Sequence, residues 1–378
     1  MGLFQLKFQI PHRLASIATS SPRPEKSGGA GFFARQRMNT MDSRPIGSFS
    51  VRSIGLGCMN FCHAYGNSPS EEQSKAVLHA ALDAGVTLFD TAALYGFGAS
   101  EALIGPVLKP HRDRITLASK CGMAGVRGED GVMRRVIDGH PKTLRKNCED
   151  SLQRLGTDVI DLYYLHRWDP RVPIEESVGE MSRLVEEGKV RALGLSEVGV
   201  DTLRRGHATH PIVALQSEYS LWSRNAELGT LAACKELGIA YVAFSPLGRA
   251  FLTGKLQDTG NFVKGDIRAA MPRFAPAVYA QNLKLLAPMQ SIAERADCTL
   301  AELAIAWVLH QGQHVIALPG TTSVEHLHED LRGGSVRLDA GLLAELDELF
   351  KPERIAGDRY ALGSQREVDT EKFAFEAR

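Results

Sequence analysis

Four residues have side chains that together suit proton transfer to a carbonyl oxygen: Asp90, Tyr95, Lys120 and His166. An ammonium withdrawn from water needs a counter-charge, and Asp90 is the natural partner for Lys120. A phenol titrates near ~10 in water, and a cation beside it favours the phenolate, which makes the hydroxyl a better proton donor to a forming alkoxide. His166 is placed to orient the same oxygen. Taken singly, Asp90 reads equally as a loop cap, Lys120 as a snorkelling surface residue and His166 as a satisfied core histidine. Their weight is joint, because Asp90, Lys120 and His166 close three consecutive predicted strands and Tyr95 follows Asp90 by five residues.

The elements that must position them alternate. Short apolar or β-branched runs predict eight strands, over residues 53–57, 87–90, 115–120, 161–166, 192–196, 213–216, 240–245 and 315–319. Between them lie helical signals. Ser70 and Gln73 form a capping pattern ahead of Val77, Leu78 and Leu82, and Pro141 opens a run whose Leu144, Cys148, Leu152 and Leu155 share one face. Pro173 to Gly188 and Leu228 to Gly238 repeat the pattern. Eight βα units predict a (β/α)₈ TIM barrel, in which chemistry gathers at the C-terminal strand ends. Six of the eight predicted strands end in or near Asp90, Lys120, His166, Ser196, Gln216 and Ser245. A small hairpin over 45–52, a long loop over 248–276, an extra helix over 281–295 and a terminal helix over 340–350 complete the expectation.

The first 41 residues are expected to be an unpacked extension, and 42–378 a single domain. Residues 1–40 hold six Lys or Arg and one acid, Glu25, around a Ser/Pro/Gly-rich stretch. Such a start reads as a targeting segment or as sequence upstream of an internal start at Met38 or Met41.

Lys plus Arg and Asp plus Glu both number 44, so no global field recommends nucleic acid or an anionic membrane as partner. The apolar runs fall far short of the ~18 residues of a membrane span. Six scattered cysteines suit packed free thiols in a reducing, cytoplasmic setting. No metal is expected: HExxH is absent, and His326 and His328 read as helical and solvated. Gly29-Ala-Gly31-Phe-Phe-Ala34 matches a dinucleotide finger only formally, since no strand precedes it.

Several segments together resemble the aldo-keto reductase superfamily over roughly residues 45–350. They are Phe89-Asp-Thr-Ala-Ala-Leu-Tyr-Gly96, Ala118-Ser-Lys120, Leu162-Tyr-Tyr-Leu-His166, Gly194-Leu-Ser196, Ser245-Pro-Leu-Gly248 and Leu318-Pro-Gly-Thr321. The run from Ser220 to Arg224 is similar to the plant auxin-induced and pyridoxal-reductase-like branch and its bacterial relatives. The resemblance implies NAD(P)H-dependent reduction of aldehydes or ketones, with Asp90, Tyr95, Lys120 and His166 as catalytic tetrad and Tyr95 as general acid. It implies that Ser196, Glu197 and Gln216 hold the nicotinamide carboxamide, that Phe244 stacks on the ring, and that Cys58 and Met59 also touch cofactor. It assigns Ser245, Pro246, Leu247, Gly248, Leu252, Gly254 and Lys255 to a loop over the pyrophosphate. Gly320, Thr321, Thr322 and Ser323 would cradle the adenosine phosphate, and Glu329 and Asp330 would meet adenine.

Glu197 stands where many relatives have Asn, and Phe244 where many have Tyr. The run Pro319 to Asp330 lacks the Lys or Arg of many NADPH-preferring relatives, although Arg332 is close. The cofactor expected is NADP(H), with NAD(H) the alternative. The partner is a small-molecule carbonyl substrate, in a pocket lined by Tyr65, Trp168, Trp222 and the segment before Met271. The competing functions are an alcohol or sugar dehydrogenase and a non-catalytic nucleotide-sensing regulatory subunit. The sequence sets no oligomeric state.

Overall fold

The computed structural model describes residues 42–62 and 64–376; the expected N-terminal extension lies outside them. Twelve strands form among the described residues: β1 Ser43–Ile46, β2 Phe49–Arg52, β3 Leu56–Gly57, β4 Leu88–Asp90, β5 Thr116–Cys121, β6 Met123–Arg127, β7 Met133–Ile137, β8 Ile160–Leu165, β9 Val190–Ser196, β10 Ile212–Glu218, β11 Ala240–Phe244 and β12 Val315–Leu318. Eight of them run parallel in the order β12-β11-β10-β9-β8-β5-β4-β3. The two ends meet: Gly55 donates to the Ala317 carbonyl at 2.9 Å, Gly57 to that of Pro319 at 2.8 Å, and Ala317 to that of Ser53 at 3.0 Å. This is the expected (β/α)₈ barrel.

Period-2 alternation divides each strand between two cores. Leu88, Ala118, Leu162, Tyr164, Ala214, Val242 and Ile316 fill the interior, and Ile46 and Val51 of the β1–β2 hairpin close its floor. Phe89, Leu117, Tyr163, Leu195 and Leu215 face the helices. Gly194 on β9 has no alternative, because a Cβ there would sit 2.3 Å from the Tyr164 ring inside the barrel.

The crossover helices follow the capping signals. Ser70 Oγ accepts from the Gln73 amide at 3.1 Å and opens Glu71–Asp83. Pro141 occupies the first turn of Pro141–Leu155, which Gly156 ends in the left-handed region at φ 63°. The long loop after β11 contains only short 3₁₀ turns before the helices Pro276–Asn282 and Leu286–Arg295. Beneath it Trp222 stacks on Phe251 at 4.1 Å and meets Phe274 edge-on at 5.2 Å.

Two features lie outside the sequence reading. The hairpin β6–β7 rises beside the barrel mouth from a stretch that mixes apolar and charged residues and turns at Asp130-Gly131. The chain after Leu349 also returns across the mouth: Arg135 of β7 bonds Glu367, and Asp369 accepts from Gly199 and Thr202.

Candidate active site

All four candidate catalytic side chains converge at the C-terminal mouth. Asp90 ends β4, and its register partner on β5 is Ala118, so Lys120 stands one inward-facing step beyond. The intervening Ser119 faces outward, where its Oγ donates to Glu101 at 2.5 Å. The chain after Asp90 continues along β5, with Thr91 donating to the Ala118 carbonyl at 2.9 Å and Ala93 to that of Lys120 at 3.3 Å. It then turns at Tyr95, and Gly96, Phe97 and Gly98 follow at φ 57°, 53° and 97°. A side chain at Gly96 would place its Cβ 2.7 Å from that of Cys62. This left-handed run leads into the helix Ala99–Leu108 and leaves the Tyr95 ring over the barrel mouth.

Lys120 is fully buried and donates to Asp90 Oδ1, to the Thr91 carbonyl at 2.9 Å and to the Tyr95 hydroxyl at 3.3 Å. Asp90 Oδ2 accepts from Gln216 Nε2 at 2.8 Å. His166 meets Tyr95 edge to face, with ring centroids 5.7 Å apart. Burial pulls the Lys120 ammonium towards neutrality, but the charge of Asp90 and the interactions with Asp90 and Tyr95 together outweigh it and the pKa rises. Burial pushes the Tyr95 phenol up, and the downward pull of Lys120 does not overcome it. Lys120 does pull Tyr95 towards acidity, as expected, but burial, aided by the charge of Asp90, outweighs that pull.

From this floor a cleft of about 630 Å³ extends past Met59, Ser196, Gln216, Phe244, Ser245, Pro246 and Leu247 to Lys255, Gly320, Thr321, Thr322, Glu329 and Asp330. Asn60 Nδ2 donates to the Gly320 carbonyl at 3.0 Å and Gln73 Nε2 to that of Thr322 at 2.9 Å, fixing the turn at the head of the helix Val324–Arg332. Lys255 bridges the cleft to Glu329 at 3.0 Å. Burial, reinforced by Glu329, holds the Asp330 carboxyl well above the usual range. A Phe ring, a Ser hydroxyl and a helix N-terminus spaced along one trough fit a nicotinamide dinucleotide.

Other assigned residues do not line this cleft. Glu197 turns away, its carboxylate accepting from Arg359 and from the Glu218 amide at 2.9 Å. Gln216 does line the cleft, but its amide donates to Asp90. Cys58 is fully buried, and its Sγ faces the Leu56 carbonyl. A Cβ on Gly248 would lie against the Trp222 ring and one on Gly254 against Leu300, while Leu252 is core. Ser323 caps its helix by accepting from His326 at 3.3 Å. Arg332 is drawn to Glu302 at 2.6 Å. Tyr65 and the segment before Met271 do line the cleft, but Trp222 packs under the loop and Trp168 donates to the Val172 carbonyl at 2.9 Å. His326 is exposed, as expected, whereas His328 is half-buried. All six cysteines are free thiols.

The sequence reading also missed a polar girdle. Arg249 donates to Glu218 at 2.9 Å and to Tyr360 at 3.1 Å, tying the loop after β11 to β10 and to the C-terminal tail. Burial alone would raise the Glu218 carboxyl, but Arg249, with Arg359 and Arg273, lowers it to about 2. Its positive-φ neighbours Ser245, Gly248, Arg249 and Ala250 show how tightly this loop folds back. The signal available was the polar ending of the predicted strand over 213–216, which continues to Glu218.

Barrel and constellation together define a (β/α)₈ oxidoreductase. The Aldo/keto reductase family matches residues 53–351, and the chain belongs to it. The chain is 42% identical over 316 residues to a probable aldo-keto reductase of Glycine max, covering 83% of this chain and 90% of that protein. Among solved structures, a glycerol dehydrogenase of Gluconobacter oxydans superposes with a TM-score of 0.75 at 27% identity, covering 90% of this chain and 99% of that one. An aldo-keto reductase of Klebsiella pneumoniae, solved in complex with NADPH, superposes at 0.64 with 28% identity, covering 85% and 99%. The reaction of the family is NAD(P)H-dependent interconversion of carbonyls and alcohols, so the protein is an enzyme acting on small molecules. Among the described residues no helix is long and apolar enough to cross a membrane.

Proposed function

We propose that this enzyme reduces an aldehyde or ketone to its alcohol with NADP(H), and that Tyr95 is the general acid. The observation that carries the reading is the buried Lys120 ammonium shared between Asp90 and the Tyr95 hydroxyl at the cleft floor. Reduced nicotinamide, when bound, supplies the hydride of the new C–H bond. Tyr95 holds its proton and gives it to the oxygen as negative charge develops there, and Lys120 then compensates the phenolate left behind. His166, edge-on to Tyr95, orients the carbonyl oxygen. Phe244 and Ser196 would position the nicotinamide, and the turn Gly320–Thr322 the adenosine phosphate. Glu197 drops out of this assignment because Arg359 holds it.

The NADP(H) choice draws support from two solved structures of aldo-keto reductase from Klebsiella pneumoniae, one in complex with NADP and one with NADPH. Among the described residues, Lys255 and His326 are the cationic or cationisable side chains lining the adenosine end, beside backbone amides. The free thiols suit a reducing compartment, and a cytoplasmic location is part of the proposal. A carbonyl panel assayed with NADPH and NADH tests the reading. Turnover of at least one aldehyde is expected, with Tyr95→Phe lowering kcat/KM by about 10²- to 10⁴-fold. Unchanged rates in that variant would refute the acid assignment. The name of the Gluconobacter relative favours a second reading, alcohol oxidation, in which Tyr95 accepts the proton.

A further inference from the structure

The charged groups around the cleft are paired off, with one exception. Arg135, Arg249, Arg268 and Lys255 all line it, and each is tied to a carboxylate at 2.5–3.0 Å. Lys120 belongs to Asp90. Arg167 also lines the cleft, half-buried, directly after His166 at the end of β8. Its Nη1 donates to the His166 carbonyl at 2.7 Å and to Ser196 Oγ at 3.4 Å. Among the described residues no carboxylate pairs with it, and nothing accepts from its Nε or Nη2. The bond to the His166 carbonyl and the longer contact to Ser196 hold Nη1 beside the reacting end while the Nε–Nη2 edge has no acceptor among the described residues, and that edge is the planar two-donor face that matches a carboxylate.

A half-buried, unneutralised cation gains most from an anionic partner where water is partly excluded. We propose that Arg167 binds the substrate rather than the fold, and that the preferred substrates are carbonyl compounds bearing a carboxylate a few atoms from the reacting carbon. This deepens the reductase reading and rests on it. The surrounding charges agree: the acids of the cleft are taken up by their own cations, except Asp330 at the far, adenosine end, where burial disfavours the carboxylate. An incoming anion therefore meets Arg167 without a competing carboxylate at the reacting end. The Arg167 charge also acts on Tyr95 in the direction of greater acidity, so neutralising it by substrate binding would leave Lys120 as the main pull on the phenol.

The test compares succinic semialdehyde with its methyl ester, which carry the same reacting carbonyl with and without the charge. In the full-length enzyme with saturating NADPH, kcat/KM is expected to favour the acid. Arg167→Gln should lower the acid-to-ester ratio on the order of 10- to 100-fold, the size expected of a hydrogen bond between charged groups, mostly through KM. Arg167→Lys should recover part of the ratio. Calorimetric binding of succinate to the NADP-loaded enzyme, weakened in Arg167→Gln, supplies a readout that needs no turnover. An ester reduced as well as the acid by the unaltered enzyme would overturn the proposal while leaving the reductase reading intact. So would an unchanged ratio in Arg167→Gln combined with weaker NADPH binding, which would assign Arg167 to the cofactor. A carbonyl panel wholly inert with both cofactors would instead sink the reductase reading, and succinate binding would still decide the role of Arg167.

Discussion

Lys120→Met removes the cation paired with Asp90, which is 2% exposed and accepts from Lys120 and Gln216. Without the ammonium the Asp90 carboxylate stays buried with Gln216 as its side-chain donor, and breaking a buried pair in this way costs about 3–5 kcal/mol. The pairing gives a sharper expectation than the single variant. Asp90→Asn with Lys120→Met deletes both charges and should recover most of that loss, so the two changes couple strongly in urea denaturation. For catalysis, an ammonium 3.3 Å from the Tyr95 oxygen stabilises a full phenolate by at most about 5 kcal/mol at an effective dielectric constant of ~20. A half-transferred proton would feel about half of that, or roughly 10²-fold in rate. The assay is NADPH consumption with a neutral aldehyde, so that carboxylate binding at Arg167 does not enter. Additive stabilities in the double variant, or a Lys120→Met enzyme as fast as the original, would refute the reasoning.

The raised Tyr95 pKa sets the pH dependence. The acid must be protonated for reduction, so kcat/KM for reduction should hold through neutral pH and fall only as pH rises through that elevated value, while alcohol oxidation should climb over the same range; a reduction limb falling near pH 6 would contradict this. Glu218, lowered to about 2, contributes stability that is complete above its unfolded value of 4.5 and is lost as pH falls through about 2, so Glu218→Gln should flatten acid denaturation in that window. Trp222→Ala should destabilise by about 3–5 kcal/mol through the cavity left beside Phe251 and Phe274, measured as a lowered urea midpoint; a shift below ~1 kcal/mol would mean that the loop does not depend on this cluster. A protein beginning at Asp42 should keep full activity if residues 42–378 act as one catalytic unit, and loss of turnover would show that the preceding segment participates.

The barrel was legible because its signals are local. Alternating strand and helix patterns, Ser70 and Pro141 as helix openers, and a polar residue near the end of most strands all survive without knowledge of the partner strand. Asp90, Lys120 and His166 could be grouped because parallel strands aim their ends at one place. The hairpin β6–β7 escaped, since its exposed residues mix Arg127, Arg134 and Arg135 with Val126 and Val136 and its pairing is with itself; the Asp130-Gly131 turn was the signal to use. The girdle of Glu197, Glu218, Arg249 and Arg359 escaped for another reason: its members lie up to 162 residues apart, and nothing periodic announces an ion pair.

Side-chain types and their order along the chain determined the architecture and the reaction class, because hydrophobic period and strand-end chemistry are properties of short segments. Only tertiary structure decided which charges were already neutralised. It placed Glu197 against Arg359 and Arg332 against Glu302, raised the Tyr95 pKa by burial, and left Arg167 lining the cleft with no carboxylate partner among the described residues. Electrostatic partnership depends on distances of a few ångströms between remote segments, and those distances exist only after the chain has folded.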